Sequence, residues 1–227
     1  MPRSAPWSTG STISGGPGAG SDGDKEVTSA LEPLPDACHI RWRRVDISGS
    51  EEAGIARTSN GWRLQGRVEV EESGVLAQLA YVIECERNWH TRSALVTGSV
   101  AGVPIVLQLH SDGAGRWTLN GVPIHGVDGT LDIDLGFSPA TNLLPIRRLD
   151  LDVGECAKFD AAWVRFPELC VEKLGQAYRS EAARVYRYDA LVDGTPFRAR
   201  LDTDEFGRVV HYEGLWVAEP GPRHLPR

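Results

Sequence analysis

The sequence is poor in cysteine and lacks any long apolar run. Its four cysteines are Cys38, Cys85, Cys156 and Cys170, and no two of them form a CxxC pair. Neither a disulfide-dense scaffold nor a zinc ribbon is therefore indicated, and we expect small, buried, reduced thiols. No segment approaches the roughly 20 apolar residues of a membrane-spanning helix, so integral membrane association is not expected.

An apolar leader is also missing at the N-terminus. Residues 8–23 are mainly Gly, Ser, Thr and Pro, whereas a secretory signal needs about 7–15 apolar residues. This composition buries too little apolar surface to offset the entropy lost on ordering. The sequence predicts a disordered tail at residues 1–36, a folded domain at residues 37–219 and a short C-terminal tail at residues 220–227. A cytoplasmic location is the expectation that follows.

Positive charge is in short supply, because 24 Lys and Arg face 31 Asp and Glu, for a formal net charge of -7. Excess carboxylates repel phosphates, so nucleic-acid binding is not expected. The chain has no GxSxG elbow, P-loop or HExxH motif. Its histidines are dispersed, which gives no reason to predict a metal site, a cofactor or catalytic residues.

A period of two dominates the folded region. Apolar and polar residues alternate over residues 62–70 and again over residues 75–85, with a Gly-containing turn between them. Such a pattern is typical of a β-hairpin. Asn120-Gly121 suits a type I′ turn, because both residue types tolerate positive φ. Many short alternating runs predict an all-β fold, a single antiparallel sheet that is rolled or barrel-like.

Three other segments lead to more specific expectations. Residues 131–135 and 149–153 alternate Leu, Ile or Val with Asp, which predicts strands whose aspartates face solvent. The composition of residues 168–183 would allow a helix, but Gly175 lies in the middle. We therefore predict a strand there.

The most unusual segment is residues 137–149. Ser138-Pro139 suits a turn or the first residues of a helix. A strand is expected after this turn, and in that strand Arg147 and Arg148 should point to opposite faces. The inward arginine needs an anionic partner. That partner is either a nearby carboxylate or a ligand phosphate or sulphate, which a guanidinium matches bidentately.

Tryptophan is abundant, with seven residues in the chain. Large aromatic side chains can line an apolar cavity or stack on a sugar, although they more often fill a β core. Trp89 is the best candidate for a mixed apolar and polar wall, because His90, Thr91 and Arg92 follow it. A strand there would place Trp89 and Thr91 on one face.

Several blocks of the sequence resemble the putative glycolipid-binding family of bacterial proteins. The most specific is SPATNLLPIRRLDLDVGE at residues 138–155. The others are GWRLQG (61–66), NWHTRSA (88–94), AAWVRFPEL (161–169), QAY (176–178) and DEFGRVVHYEGLW (204–216). The resemblance covers about residues 39–217 and implies a spiral β-roll, similar to bacterial lipoprotein-localisation factors, that curls around an apolar cavity. The family has no established catalytic residues to carry over.

The combined expectation is a non-catalytic protein that binds an apolar small molecule, a lipid or a glycolipid, in an apolar cavity of the β-roll. The candidate ligand-binding residues are Trp89, Arg92, Ser138, Thr141, Asn142, Arg147, Arg148 and Trp163. Two alternatives remain open. One is an enzyme with a His–carboxylate pair in a cleft that acts on a small lipid-like substrate. The other is a structural or interaction module with a filled core.

Overall fold

A computed structural model describes residues 31–220, so most of both predicted tails lies outside the described residues. Within this range fifteen strands join in one sheet that does not close. The first eight are β1 (Ala37–Arg44), β2 (Ser48–Arg57), β3 (Gly61–Glu72), β4 (Val75–Glu86), β5 (Thr91–Val100), β6 (Val103–Ser111), β7 (Trp117–Leu119) and β8 (Val122–Pro123). The others are β9 (Asp132–Leu135), β10 (Cys156–Val164), β11 (Val171–Ala182), β12 (Val185–Val192), β13 (Thr195–Thr203), β14 (Val209–Tyr212) and β15 (Trp216–Ala218).

The strands follow a meander in two halves, joined where β1 pairs with β15. The order is β8-β7-β6-β5-β4-β3-β2-β1-β15-β14-β13-β12-β11-β10-β9. Each neighbouring pair is antiparallel except β9 and β10, which are parallel. Parallel neighbours require a crossover connection. The chain makes it through a 3₁₀ turn at Ala140–Asn142 and a short helix α1 at Leu143–Leu149. The all-β prediction is confirmed.

The local turn signals predicted the hairpins well. β3 and β4 pair in continuous register from Gly61↔Glu86 to Glu72↔Val75. Asn120 and Gly121 connect β7 to β8 with φ of +50° and +81°, which is the conformation that the type I′ turn requires. The strand predicted within residues 168–183 is β11.

Two strand predictions were wrong in detail. Residues 149–153 are not a strand, because Leu149 ends α1 and Asp150 follows in the left-handed conformation at φ +41°. Residues 131–135 do contain β9, but Asp132 is only 1% exposed and its neighbour Ile133 is equally buried. Both faces of β9 are covered, so alternation could not identify a solvent face.

The crossover from β9 to β10 runs through the inside of the sheet. We call residues 136–149 the inner segment. Its apolar side chains are almost completely buried, with Phe137 and Leu144 at 0% and Ile146 at 1% exposure. Between Leu143 of this segment and the inner faces of β1–β3, the enclosed apolar space is only about 10 Å³, roughly the space one water needs. This part of the roll is packed with its own side chains.

A buried polar cluster fixes the start of the inner segment. Glu51 on β2 is 2% exposed, and its Oε1 accepts hydrogen bonds from Tyr81 Oη at 2.6 Å and Ser138 Oγ at 2.7 Å. Its Oε2 has no hydrogen-bond partner among residues 31–220. Burial raises the pKa of Glu51 to about 8, so this carboxyl is largely protonated at neutral pH. Protonation avoids the cost of an unpaired buried charge.

Removing apolar bulk from the inner segment is expected to destabilise the whole domain. Leu144→Ala should lower the free energy of unfolding by about 2–5 kcal/mol, because a fully buried leucine leaves a cavity when truncated. Urea denaturation followed by tryptophan fluorescence measures this. The matched control is Leu191→Ala, since Leu191 is 58% exposed and should change stability by less than about 1 kcal/mol. Equal losses in the two variants would contradict the packed interior.

The Glu51 cluster is expected to make stability depend on pH. The pKa of Glu51 rises from 4.5 to about 8 on folding. Between these two pH values the Glu51 carboxyl is therefore protonated in the folded state and ionised in the unfolded state. The stabilisation from Glu51 is fully present below pH 4.5 and is lost as pH rises to about 8, by at most about 1.4 kcal/mol per pH unit. Glu51→Gln does not titrate, so the stability of the wild type relative to this variant should decline across that window.

Urea denaturation across the same pH window checks this prediction. The control is Glu52→Gln. Glu52 is exposed, lies next to Glu51 and pairs with Arg41 on the outer face, so this substitution should leave the pH dependence of stability as it is in the wild type. A constant difference between the wild type and Glu51→Gln would show that Glu51 is ionised throughout.

Candidate functional site

The structure divides the candidate ligand-binding residues among several places instead of bringing all of them to one mouth. Arg148 is turned towards the inner face of β9–β11, and Arg147 lies against Trp89. Arg92 pairs with Glu86 at 3.5 Å in an exposed position. Trp163 is half-buried on β10, where the Arg165 guanidinium lies 5.4 Å from its ring centroid. Contact of these residues with a ligand stays a prediction.

Arg148 has a protein carboxylate as its partner. Its Nε donates to Asp132 Oδ1 at 3.0 Å and its Nη2 donates to Oδ2. The guanidinium also lies 4.8 Å from the ring centroid of Phe159. Of the two partners left open by the sequence, the carboxylate is therefore the one observed. Arg147 and Arg148 do diverge as predicted, but they do so on a helix, where successive side chains differ by about 100°.

Arg147 belongs to a four-layer stack. Trp62 and Trp89 stack with their ring centroids 4.9 Å apart and an interplanar angle of 9°. Arg57 lies 5.8 Å from the Trp62 ring, and Arg147 lies 5.9 Å from the Trp89 ring. Because Trp89 has φ +72° and precedes β5, it lies in a turn, and the predicted strand geometry there was wrong. Guanidinium groups lie over the tryptophan pair on both sides, so little ring face is left for a ligand. The stack also brings α1 into contact with β3.

Three of the remaining candidates form buried hydrogen bonds with the protein. Ser138 donates to Glu51, as described above. Thr141 Oγ1 accepts from the backbone N–H of Leu135 at 3.3 Å. Asn142 Oδ1 accepts from Tyr178 Oη at 2.7 Å, and its Nδ2 donates to the Pro139 carbonyl at 3.1 Å. These bonds hold the inner segment against β9 and β11.

A different group of side chains lies in one row across the inner face. Phe159, Gln176, Ala190 and Phe197 lie in direct cross-strand register on β10, β11, β12 and β13. The two phenylalanines are half-buried, while Ala190 is 8% exposed. Gln176 and Ala190 lie between the two phenylalanines, and Ala190 has the smallest side chain of the four. We call these four residues the inner-face trough.

Polar groups lie within the trough and beside it. Asp134 is half-buried and accepts a hydrogen bond from Gln176 Nε2. Gln176 is also within hydrogen-bond reach of the Tyr188 hydroxyl. Burial raises the pKa of Asp134 to about 6, which leaves the carboxylate mostly ionised at neutral pH. An acid, an amide and a phenol therefore meet beside an otherwise aromatic surface.

The sequence pattern does not single out these polar residues. Alternation with Leu and Ile predicts that Asp134 faces solvent, and Gln176 is separated from it by 42 positions. The shared parity of Tyr186, Tyr188 and Ala190 along β12 was the available signal, since it marks an inner face. It does not reveal which strand lies opposite.

The cysteine expectation had a mixed outcome. Cys85 is buried, and burial raises its pKa to about 12, but Cys156 and Cys170 are exposed. The expectation of buried thiols was therefore wrong for these two, which lie near strand ends on the surface. Across the described range, no group of three or more His, Cys, Asp and Glu side chains is placed to bind a metal. Nor does any helix in this range have the length and apolarity to cross a membrane.

The comparisons with known proteins agree with the fold. The family model described as "Putative glycolipid-binding" matches residues 39–218. A crystal structure of a DUF1089 family protein from Pseudomonas aeruginosa is similar, with 31% sequence identity and a TM-score of 0.61. The similarity covers 86% of this chain and 98% of that one. No curated protein matches the chain. Because the family model spans most of the 227 residues, the chain belongs to the putative glycolipid-binding family, as its sequence blocks predicted.

Proposed function

We propose that this protein binds a glycolipid or another lipid-like molecule without transforming it, and that the ligand lies along the inner-face trough. The observation that supports the proposal is the trough itself, in a chain of this family. Half-buried Phe159 and Phe197 offer apolar surface for a lipid chain, and the small Ala190 lies in the same row. Gln176 within the row and Asp134 beside it add the polar groups of the mixed lining typical of small-molecule sites.

The ligand position differs from the enclosed cavity that the family resemblance implies. Sites for drug-sized ligands have volumes of about 300–1,000 Å³, whereas about 10 Å³ remains between the inner segment and β1–β3. A lipid chain would have to displace Leu143 and its neighbours to enter there. The Glu51 cluster and the Arg148–Asp132 pair oppose that displacement.

The enzymatic alternative has less support. It required a histidine and a carboxylate within a cleft. His125–Asp128 and His211–Asp202 each have a nitrogen–oxygen distance of 3.2 Å. The histidine side chains are 84% and 46% exposed, so both pairs lie at the surface.

The interaction-module alternative is favoured by one observation, the packed interior. The protein also has apolar outer surface that a partner could contact, because Leu95 and Val106 on the outer faces of β5 and β6 are 41% and 60% exposed. This second candidate predicts that the protein contains no lipid. The same experiment therefore separates it from lipid binding.

Filling the trough is expected to abolish lipid binding. Lipids extracted with organic solvent from purified wild-type protein should be detectable by mass spectrometry, and Ala190→Trp should remove most of them by covering the apolar surface beside Phe197. The control is Leu191→Trp, which adds the same side chain at an exposed position on the opposite face of β12. Ala190→Leu serves if the larger substitution prevents folding.

Added ligand is expected to stabilise the wild type. A ligand present at 100 times its Kd raises the free energy of unfolding by about 2.7 kcal/mol, which corresponds to several degrees in melting temperature. Absence of extractable lipid, together with an unchanged melting temperature in octyl glucoside and octyl phosphocholine, would overturn the proposal in favour of an interaction module.

A further inference from the structure

We infer that the outer face of β4–β6 is a docking surface for a second copy of this chain, so that two molecules associate through these faces about a two-fold axis. The surface consists of the outward-facing side chains of residues 76–82 on β4, 95–99 on β5 and 104–108 on β6, and we call it the neutral face. It lies on the outer side of the sheet, whereas the trough lies on the inner side. The inference therefore does not depend on lipid binding.

The neutral face carries no charged residue. Its three segments contain no Asp, Glu, Lys or Arg, although these residues make up 24% of the chain. Elsewhere on the outer face, cross-strand ion pairs are present, such as Arg41–Glu52 between β1 and β2 and Arg198–Asp189 between β13 and β12. The water-facing side of an antiparallel sheet is normally polar. Its local replacement by neutral side chains therefore indicates a surface that a partner covers.

Apolar side chains protrude from the neutral face as neighbours. Leu95 pairs with Val82 across β4 and β5, and Val106 pairs with Thr97 across β5 and β6. Val106 is 60% exposed, Leu95 is 41% exposed, and Leu76 at the end of the face is 42% exposed. Contiguous exposed apolar surface marks interaction sites, whereas scattered single residues do not.

The absence of charge favours a second copy over a different protein. In a two-fold interface each residue near the axis meets its own copy, so a charged side chain there would face a like charge. A face without charge meets this requirement. A different partner of a chain with a net charge of -7 would instead be steered by its positive groups towards acidic side chains, and the neutral face offers none.

The second copy is expected to stack on the neutral face, because extension of the sheet beyond β6 is hindered. Pro104 has no N–H to donate. Asn120 occupies neighbouring backbone groups, since its Oδ1 accepts from the Gln108 N–H at 2.9 Å and its Nδ2 donates to the Val106 carbonyl at 3.4 Å. Such features oppose edge-to-edge pairing of strands. Face-to-face packing remains available, with the side chains of two sheets interdigitated in a layer about 10 Å thick.

The size of the neutral face indicates a weak dimer. Strands lie about 4.8 Å apart and rise about 3.4 Å per residue, so three strands over about seven residues cover about 14 Å by about 24 Å, or roughly 340 Å². A standard interface buries about 800 Å² on each partner. The neutral face is therefore large enough for the core of an interface, with neighbouring polar residues as its rim. Small interfaces belong to transient complexes, so we expect a dimer that dissociates on dilution.

Sedimentation velocity of the full chain, from micromolar to millimolar concentration, tests the inference. The average mass of the wild type should rise from 24.7 kDa towards twice this value. Val106→Glu should weaken dimerisation at least about tenfold, because it brings two carboxylates into an uncharged interface. The matched control is Val153→Glu, which should dimerise as the wild type does. Val153 is 59% exposed and lies between α1 and β10, outside the neutral face.

Two variants at the centre of the neutral face test its symmetry. A two-fold axis that maps this face onto itself passes near Thr97, which lies on the middle strand between Ala80 and Val106. Thr97→Glu and Thr97→Lys should each be monomeric. Their equimolar mixture should recover the dimer, because opposite charges then meet at the axis. Recovery on mixing also shows that both variants are folded.

Four results would overturn the inference. The first is a wild type that stays monomeric at every concentration, and the second is a dimer that Val106→Glu and the Thr97 variants leave intact. The third is equal weakening by Val153→Glu, which would reveal an effect of net charge alone, and the fourth is a mixture of Thr97 variants that stays monomeric. A monomer that co-sediments with phosphatidylcholine vesicles, and no longer does so as Val106→Glu, would assign the face to a membrane surface instead. The lipid expected in the trough is unaffected by any of these results, so the two proposals fail separately.

Discussion

The inner segment is the constraint on which the rest of the structure depends. Two strands that run parallel, β9 and β10, must be joined by a crossover, and the chain places that crossover inside the sheet. Phe137, Leu144 and Ile146 then supply the apolar side chains that would otherwise have to come from a ligand. A rolled sheet of this size could enclose a lipid, but here its interior beside β1–β3 is occupied by the protein. Any binding surface therefore has to lie on the part of the inner face that this segment leaves accessible.

Buried polar contacts hold the inner segment at both ends. Ser138 reaches Glu51 at its start, and Arg148 reaches Asp132 at its end. A buried ion pair contributes little net stability relative to apolar packing, whereas removing one partner costs about 3–5 kcal/mol because the other charge is left uncompensated. We therefore interpret these contacts as setting the position of the segment, while its leucines and isoleucine supply the stability. Protonation of Glu51 is consistent with this division, since a neutral carboxyl can be buried at lower cost than a charged one.

Much of the fold could be predicted from the sequence, because hairpins are encoded locally. The alternation in residues 62–85 and the Asn120-Gly121 turn each depend on neighbours in the chain. The inner segment could not be predicted in this way. Its seven-residue helix is shorter than the window in which helical periodicity is visible, so the sequence predicts a strand where Arg147 and Arg148 belong to this helix. The polar pairs around the inner segment could not be predicted for a related reason, since Asp132 and Arg148 are 16 positions apart and Gln176 and Asp134 are 42 apart. Because both faces of β9 are covered, the alternation along this strand does not show that its aspartates face water.

The position of the trough would determine how much each part of a bound lipid contributes to its affinity. A chain fully enclosed in an apolar cavity gains about 0.8 kcal/mol for each methylene that leaves water. A chain lying across Phe159, Ala190 and Phe197 is covered on one side only, so each methylene contributes a fraction of that value. Chain length would then change affinity only weakly. Under the proposed function, polar contacts beside the trough, more than the length of the chain, would decide which ligands are retained.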